Sequence, residues 1–591
     1  TKIEDSFPLE VFPTGQRKVT HPLIVFDPTG RSTPWLRECA QQLKPYRPGM
    51  SYRNGEILVI GREALRVGQA LPFTPRDLKN GLRVLVLEQR PEVLEAMGFR
   101  MADVSARVVF FDRNAGVLTD GLKDQDLRYW RGSTDLFPEF QAPRKYDMNV
   151  APRSTNRHVV ASTVIETPAV PGFEPLLSAE FDLAYTPLLR MNYGRGMMLF
   201  STLDFSGREK SDPAAMRLAG NLLRYVATAE CGERPTLLLR SGEDRSKEAE
   251  QILRQGGTVI YCALSAEELK RKGLKSERRT VRRALLSGED PFSRMFPPNL
   301  LRWRDRLEVN AILDSNARGD GLFLLRKKGN GQECFLQVSP AMLEKRYTDP
   351  VRQEAIDLSV IRLHQLLSRA ETFFGRGVSE ETAVRVMTTR GASFRNLETW
   401  NLLGPFFTGG RTPEQALAVS WPGESQALEG DLNPNHTYRT EEGRTLDFRE
   451  TVITDPSGRN NLRNALSCRR SDAVAYAVKL LPSDKERSAI LRLGFDYFAR
   501  VFVNGTCVLS VEKTHGRPRA DQFRKTIRLK KGVNVITVKL HSGSEGFAFW
   551  ANLSEPGIAA EGVDASYDPG VKELLYLPGI KIRNPYEFHY W

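Results

Sequence analysis

The sequence predicts a multidomain protein of mixed class, with two α/β units followed by an all-β sandwich. Three observations carry this. At 591 residues the chain is too long for a single hydrophobic core. Its first part alternates near-continuous apolar runs with helical stretches, the pattern of a parallel sheet covered on both faces. Its last part changes to short apolar runs separated by turn residues, the pattern of a β-sandwich.

Residues 1–17 read as a polar linker. Residues 18–232 form the first α/β domain. Its predicted strands are His21–Asp27, Glu56–Gly61, Arg83–Gln89 and Val108–Phe111, with Pro34–Leu43 and Pro91–Met97 as helices. Strands over Val159–Ile165 and Leu188–Phe205 and a helix over Asp212–Ala229 complete it. Residues 233–372 start the pattern again as a degenerate repeat. Strands are predicted at Thr236–Leu239 and Gly257–Cys262, with a helix at Lys247–Gln255 between them. A basic helix over Lys270–Arg283, a hairpin within Gly321–Val338 and a long helix over Pro350–Ala370 follow.

The two units share a signature. Tyr193-Gly194-Arg195-Gly196 precedes Asp212-Pro213, and Lys328-Gly329-Asn330-Gly331 precedes Asp349-Pro350. Each G-x-G serves a turn between strands, since the third glycine and the following helix of a phosphate-binding loop are missing. Each Asp-Pro starts a helix, with Asp as cap and Pro at the first helical position. Residues 373–431 read as a connector rich in Gly and Pro, containing Trp400–Phe407. Residues 432–560 form the sandwich, with turns at Asn504-Gly505 and Lys531-Gly532. Residues 561–591 are an aromatic tail, expected to dock on a partner through Tyr586, Phe588 and Trp591.

Composition excludes several classes. No apolar run approaches the roughly 20 residues of a membrane helix. The net charge of +13 invites a polyanion, and an anionic polysaccharide is among the expected partners. Nucleic acid is not expected, because no zinc finger, RNP-type strand or helix-turn-helix accompanies the charge. The six cysteines form no C-x-x-C pair, and Cys262 and Cys334 are predicted to be buried thiols. The histidines show no metal-ligand spacing. The chain begins at Thr1, without Met, in linker-like sequence. A signal peptide, propeptide or catalytic part is therefore expected upstream, together with a secreted, periplasmic or cell-surface location.

Two sets of residues carry a family resemblance, and Trp400–Phe407 between them is similar to a linker pattern common in large bacterial proteins of the same kind. Gly81–Gln89, Pro91–Phe99, Asp120-Gly121-Leu122, Asp126-Leu127, Tyr129-Trp130 and the Asp212-Pro213 helix form the first. They resemble the glutamine-amidotransferase-like domain that follows the catalytic barrel in large bacterial β-galactosidase-like glycoside hydrolases. Leu493–Tyr497, Val501–Gly505 and Leu529–Asn534 leading to Lys539 form the second. They are similar to the galactose-binding-like jelly roll of many glycosidases. The resemblance implies two flavodoxin/amidotransferase-like α/β units followed by a jelly-roll β-sandwich. It also implies a non-catalytic accessory or assembly role, as part of an oligomer with a catalytic glycosidase chain or domain. No cofactor is expected, although a sandwich of this family can hold calcium.

The sequence departs from the catalytic patterns. An amidotransferase needs a Cys on a strained elbow, whereas Glu88-Gln89-Arg90 stands at the corresponding strand end. No run of eight β/α units offers a barrel with two acids. The candidate carboxylates are Glu88, Asp112 and Asp126, and the candidate sugar-binding residues are Asp496, Tyr497, Asn504 and Trp550. Two alternative functions follow from these residues. One is a stand-alone structural or glycan-binding protein of a cell surface or large assembly, and the other is a hydrolase with a cleft near Glu88.

Overall fold

Five of the apolar runs in the first part lie side by side in one sheet. A computed structural model shows this. It describes residues 12, 18–102, 105–136, 156–286, 290–343, 350–389, 394–452, 459–512, 522–543, 546–554, 574–577, 580 and 582. The chain divides into two units: Thr1–Thr389 with Lys572–Asn584, and Arg390–Val571 with Pro585–Trp591.

In the first unit the sheet order is Leu43–Pro45, Leu23–Phe26, Ile57–Ile60, Arg83–Val86 and Gly196–Ser201, all parallel. Leu188–Tyr193 and Phe173–Pro175 add antiparallel strands at one side. Alternate side chains enter two cores. Leu23, Ile57, Val59, Leu85 and Leu199 face one, and Ile24, Leu58, Val84, Met198 and Phe200 the other. Burial on both faces is why these strands read as continuous apolar runs. The helices Thr33–Cys39 and Pro213–Thr228 cover the first face through Trp35, Leu36, Leu218 and Leu222. Asp212 caps the second of these helices, accepting from the Ala215 amide at 3.0 Å, and Pro213 opens it. A cap of this kind contributes about 1 kcal/mol.

Two predicted strands, Val108–Phe111 and Val159–Ile165, lie elsewhere. Val109–Phe111 belongs to a five-stranded antiparallel sheet with Met101–Ala102, Val164–Glu166, Leu177–Ala179 and Tyr185–Thr186. Val109 is buried, whereas Phe110 and Phe111 are only half-buried. A strand covered on one side does not fit a sheet sandwiched between two helical layers.

The same unit contains a second α/β sheet, with Thr236–Arg240, Thr258–Cys262 and Gly331–Leu336 parallel and Phe323–Lys328 antiparallel. Both G-x-G elements are hairpin turns, and Gly194 and Gly329 share a φ of 58°. Cys262 and Cys334 are fully buried in this sheet, and burial pushes the Cys262 thiol up to about 11. The basic stretch is not one helix. Ala266–Arg271 is helical, but Ser276–Arg283 is a strand paired antiparallel with Arg302–Ile312. Gly273 at φ 76° ends the helical segment, and the alternation of Trp303, Leu307 and Val309 with charged neighbours sets a period of two.

The second unit holds two antiparallel sheets facing each other across one core. Phe394–Asn396, Ala548–Ser554, Arg487–Phe495 and Phe523–Leu529 form one sheet, with Arg459–Asn461 also paired to Ala548–Ser554. The other runs Arg449–Val452, Thr399–Phe407, Ala473–Ser483, Gly532–His541, Ala499–Val503 and Thr506–Val511. Leu491, Leu493, Phe549 and Leu553 meet Ala475, Ala477, Val501 and Val538 between them. Trp400, within the stretch read as connector, is fully buried in this core. The short helices Pro413–Ala418 and Glu424–Glu429 cover the outer face of the six-stranded sheet. Beneath them Lys539 is buried, donating to Val419 O at 2.6 Å and to Glu424 Oε1 at 3.1 Å.

Candidate functional site

An α/β protein offers its ligand site at the carboxyl ends of its parallel strands. In the first unit these ends carry Asp27, Arg62, Glu88 and Asp204. Asp27 serves the fold, accepting from the amides of Ser32 and Thr33 at 3.0 and 2.8 Å at the start of a helix. Gly61 is required beside it, because a Cβ there would stand 2.4 Å from Asp27 Oδ1.

The remaining groups form a buried charge network. Arg62 Nε lies 2.8 Å from Glu88 Oε2, Nη2 lies 2.5 Å from Asp135 Oδ1, and Nη1 lies 3.9 Å from Asp204 Oδ1. Arg208 Nη2 donates to Asp204 Oδ2 at 2.5 Å. Glu88 is 2% exposed, and Asp204 is fully enclosed. Burial, then repulsion from Asp204, pushes the Glu88 carboxyl well above its ordinary value, against the opposing pull of Arg62 and Ser162. Burial also raises Asp204, with Arg208 and Arg62 holding it back. Enclosed in this way, both acids are harder to ionise than carboxylates offered to solvent, and the two arginines supply the charge that opposes this. Arg31, Glu63 and Arg90 continue the ion pairs at the rim, where each contributes at most about 1 kcal/mol.

The three candidate acids are not brought together. Asp112 accepts a bidentate pair from Arg369 at 2.6 and 3.0 Å, and both side chains are buried. Asp126 accepts from the Lys123 amide at 2.7 Å and orders a short helical turn. Arg62, Asp204 and Arg208 were not among the residues singled out from the sequence. Arg62 follows its strand as Glu88 follows the next, so the same strand-end reasoning reaches it. Asp204 and Arg208 lie in a loop whose approach only the fold determines.

In the second unit Asp496 and Trp550 share a partner. Arg459 Nη2 donates to Asp496 Oδ2 at 2.5 Å, and its guanidinium lies over the Trp550 ring, 5.6 Å from the centroid. Trp550 is half-buried and pairs across the sheet with Gly494, which has no side chain to cover it. Tyr497 is 36% exposed and packs edge-on against Phe498. Asn504 is occupied by the fold. At φ 50° it accepts from the Val535 amide and donates to Asn534 Oδ1, each at 2.9 Å. Asn504→Val is therefore expected to lower stability by about 1–3 kcal/mol, and Asn504→Gly, which tolerates the backbone, by less. Equal urea midpoints for the two variants would contradict this account.

Tyr586, Phe588 and Trp591 lie outside the described residues. Earlier in the tail, Leu575 and Tyr576 pack into the first unit. Tyr576 donates to Glu166 O at 2.9 Å, and the Arg100 guanidinium stacks 4.6 Å from its ring centroid. Among the described residues no group of His, Cys, Asp and Glu side chains could hold a metal ion, and no helix is long and apolar enough to cross a membrane.

The sequence matches no protein-family model and no curated protein. Among solved structures, a β-glucosidase from Kluyveromyces marxianus in complex with glucose is 14% identical over 28% of this chain and 18% of its own, with a TM-score of 0.16. A GH31 α-xylosidase from Xanthomonas citri is 9% identical over 29% of this chain and 16% of its own, with a TM-score of 0.17. A β-glycosidase from Bacteroides vulgatus is 17% identical over 28% and 20% of the two chains, with a TM-score of 0.14. All three are glycosidases, and this chain spans at most 20% of their lengths. Similarity of this extent carries no argument about activity.

Proposed function

We propose that this chain is a non-catalytic accessory and assembly part of a β-galactosidase-like, polysaccharide-degrading glycoside hydrolase. In this reading its two α/β units are flavodoxin- or amidotransferase-like and serve assembly, and its sandwich is a jelly roll that holds carbohydrate. One observation supports the non-catalytic role above the others. The strand ends where an α/β protein would place a ligand are filled by the chain's own ions, with Glu88 enclosed against Arg62. Glycoside hydrolysis needs two carboxylates that reach the glycosidic oxygen and the anomeric carbon. Glu88, Asp112 and Asp126 are instead each engaged with a different partner.

The carbohydrate role rests on the Trp550 ring and the planar Arg459–Asp496 pair beside it, an apolar face next to fixed polar groups. The test uses the full chain. Aryl β-galactoside and aryl β-glucoside should show no turnover with wild type or Glu88→Gln. A wild-type rate that Glu88→Gln abolishes would overturn the proposal. Affinity electrophoresis in soluble β-galactan should show retardation that Trp550→Ala reduces at least about tenfold, the loss of roughly 1.4 kcal/mol of stacking. Equal mobility of the two proteins would remove the sandwich from the reading.

A further inference from the structure

The strand Ser276–Arg283 and its partner Arg302–Ile312 form a two-stranded ribbon with unlike faces. Trp303, Leu307, Val309 and Ala311 point into the core. The opposite face carries Arg278, Arg282, Arg283, Arg302, Arg304 and Arg306, all exposed. Glu308 pairs with Arg278 at 3.5 Å, and Asp182 lies 3.7 Å from Arg304. Among the described residues no acid pairs with Arg282, Arg283, Arg302 or Arg306.

Two features make this more than a solvated face. Arg283 stands directly opposite Arg302 in the register, and like charges in that position destabilise an antiparallel pair. The register also slips between Val281 and Arg283, which leaves Arg282 and Arg283 both in solvent rather than one of them inward. Repulsion at a cross-strand pair is relieved by an anion that bridges both guanidiniums. Alternate residues along a strand repeat about every 6.7 Å, so the face presents cations at regular intervals to a linear polyanion. The cations on this face are all arginine, whose planar fork matches carboxylate and sulfate oxygens two at a time. No aromatic ring stands among them to stack a base.

We infer that this ribbon binds an anionic polysaccharide, one bearing carboxylate or sulfate groups along its length. The ribbon belongs to the first unit and the Trp550 cluster to the second, and the inference stands whether or not the accessory role does.

The experiment measures binding of the full chain to heparin and to polygalacturonate, as sulfated and carboxylated probes. Neutral dextran and a double-stranded DNA oligonucleotide serve as comparisons. The double variant Arg282→Glu/Arg306→Glu is set against Lys485→Glu/Lys531→Glu, which changes net charge equally at exposed turns of the second unit. Both pairs are exposed, and such substitutions normally leave stability nearly unchanged. The expected result is binding of at least one anionic polysaccharide, weakening with added salt, no binding of dextran, and at least a tenfold loss confined to the ribbon variant. Equal losses in both variants would show a general effect of charge and overturn the inference. So would DNA held more tightly than both polysaccharides, or no binding of either.

Discussion

Replacing Arg62 with methionine is expected to remove about 3–5 kcal/mol of stability at pH 7, because it leaves buried carboxylates without their shared cation. Glu88 and Asp204 would then repel each other, with Arg208 and Ser162 remaining to oppose the repulsion and the loss of water. The pH dependence has a definite sign. Both acids already sit above their ordinary range in the folded chain, and losing Arg62 raises them further. An acid whose folded value lies above its unfolded value favours folding when protonated, and that contribution is lost as the pH rises through the folded value. The deficit of Arg62→Met should therefore shrink between pH 7 and pH 5.

Acids with lowered values do not obscure this window. Asp290 is held down to about 2 by the hydrogen bond from Arg318. In Glu268 partial burial is outweighed by hydrogen bonds from Ser241, Gly242 and Ser265, which also hold it near 2. Their contributions are present above the ordinary carboxylate range and fade only below it. Adding Glu88→Gln to Arg62→Met should restore part of the loss at pH 7, since the amide removes one of the unpaired charges. Urea unfolding at the two pH values measures both effects. An Arg62→Met deficit unchanged at pH 5 would mean that the network carries no buried negative charge.

The second large effect is expected at Arg369. Its two bonds to Asp112 join positions 257 residues apart in the sequence. Arg369 lies on the 24-residue helix Pro350–Phe373. From this helix Gln365 donates to Thr167 O and Ser368 to Ala169 O, while Thr372 Oγ1 accepts from the Gly172 amide. Arg369→Met strands a buried carboxylate and should cost about 3–5 kcal/mol. Asp112→Asn keeps the shape and part of the hydrogen bonding, and should cost about 1–3 kcal/mol. Hydrogen exchange gives the sharper readout. Arg369→Met should lower protection of the helix and of the strands around residues 164–193 together, because both sides of the contact open at once. Loss confined to the helix would show that this contact does not couple the two sides.

These expectations draw on side chains that differ in how far they could be read from sequence. Glu88 was legible because an acid directly after an apolar parallel strand falls at the sheet's carboxyl edge. Its partner Arg62 was legible by the same rule. Asp204 and Arg208 were not, because a loop's path over a sheet has no periodicity. The basic run over 270–283 has helical character in its composition, since lysine and arginine favour helices, whereas its strand conformation depends on pairing with the alternating strand Arg302–Ile312, which lies further along the sequence. Trp400 looked like a connector aromatic, yet its strand pairs with Arg449–Val452 and Ala473–Ser483 inside the six-stranded sheet.

The sequence alone determined local elements: the parallel strands Leu23–Phe26, Ile57–Ile60 and Arg83–Val86, the Asp212 cap, the two G-x-G turns and the Asn504-Gly505 hairpin. Each of these follows from steric and hydrogen-bonding preferences within a few residues. Tertiary structure decided which charges meet. It enclosed Glu88 with Arg62 and Asp204, joined Asp112 to Arg369, placed Arg459 on Trp550 and set Arg283 against Arg302. Electrostatic pairing depends on distance and burial in space, and neither is encoded at any one position of the chain.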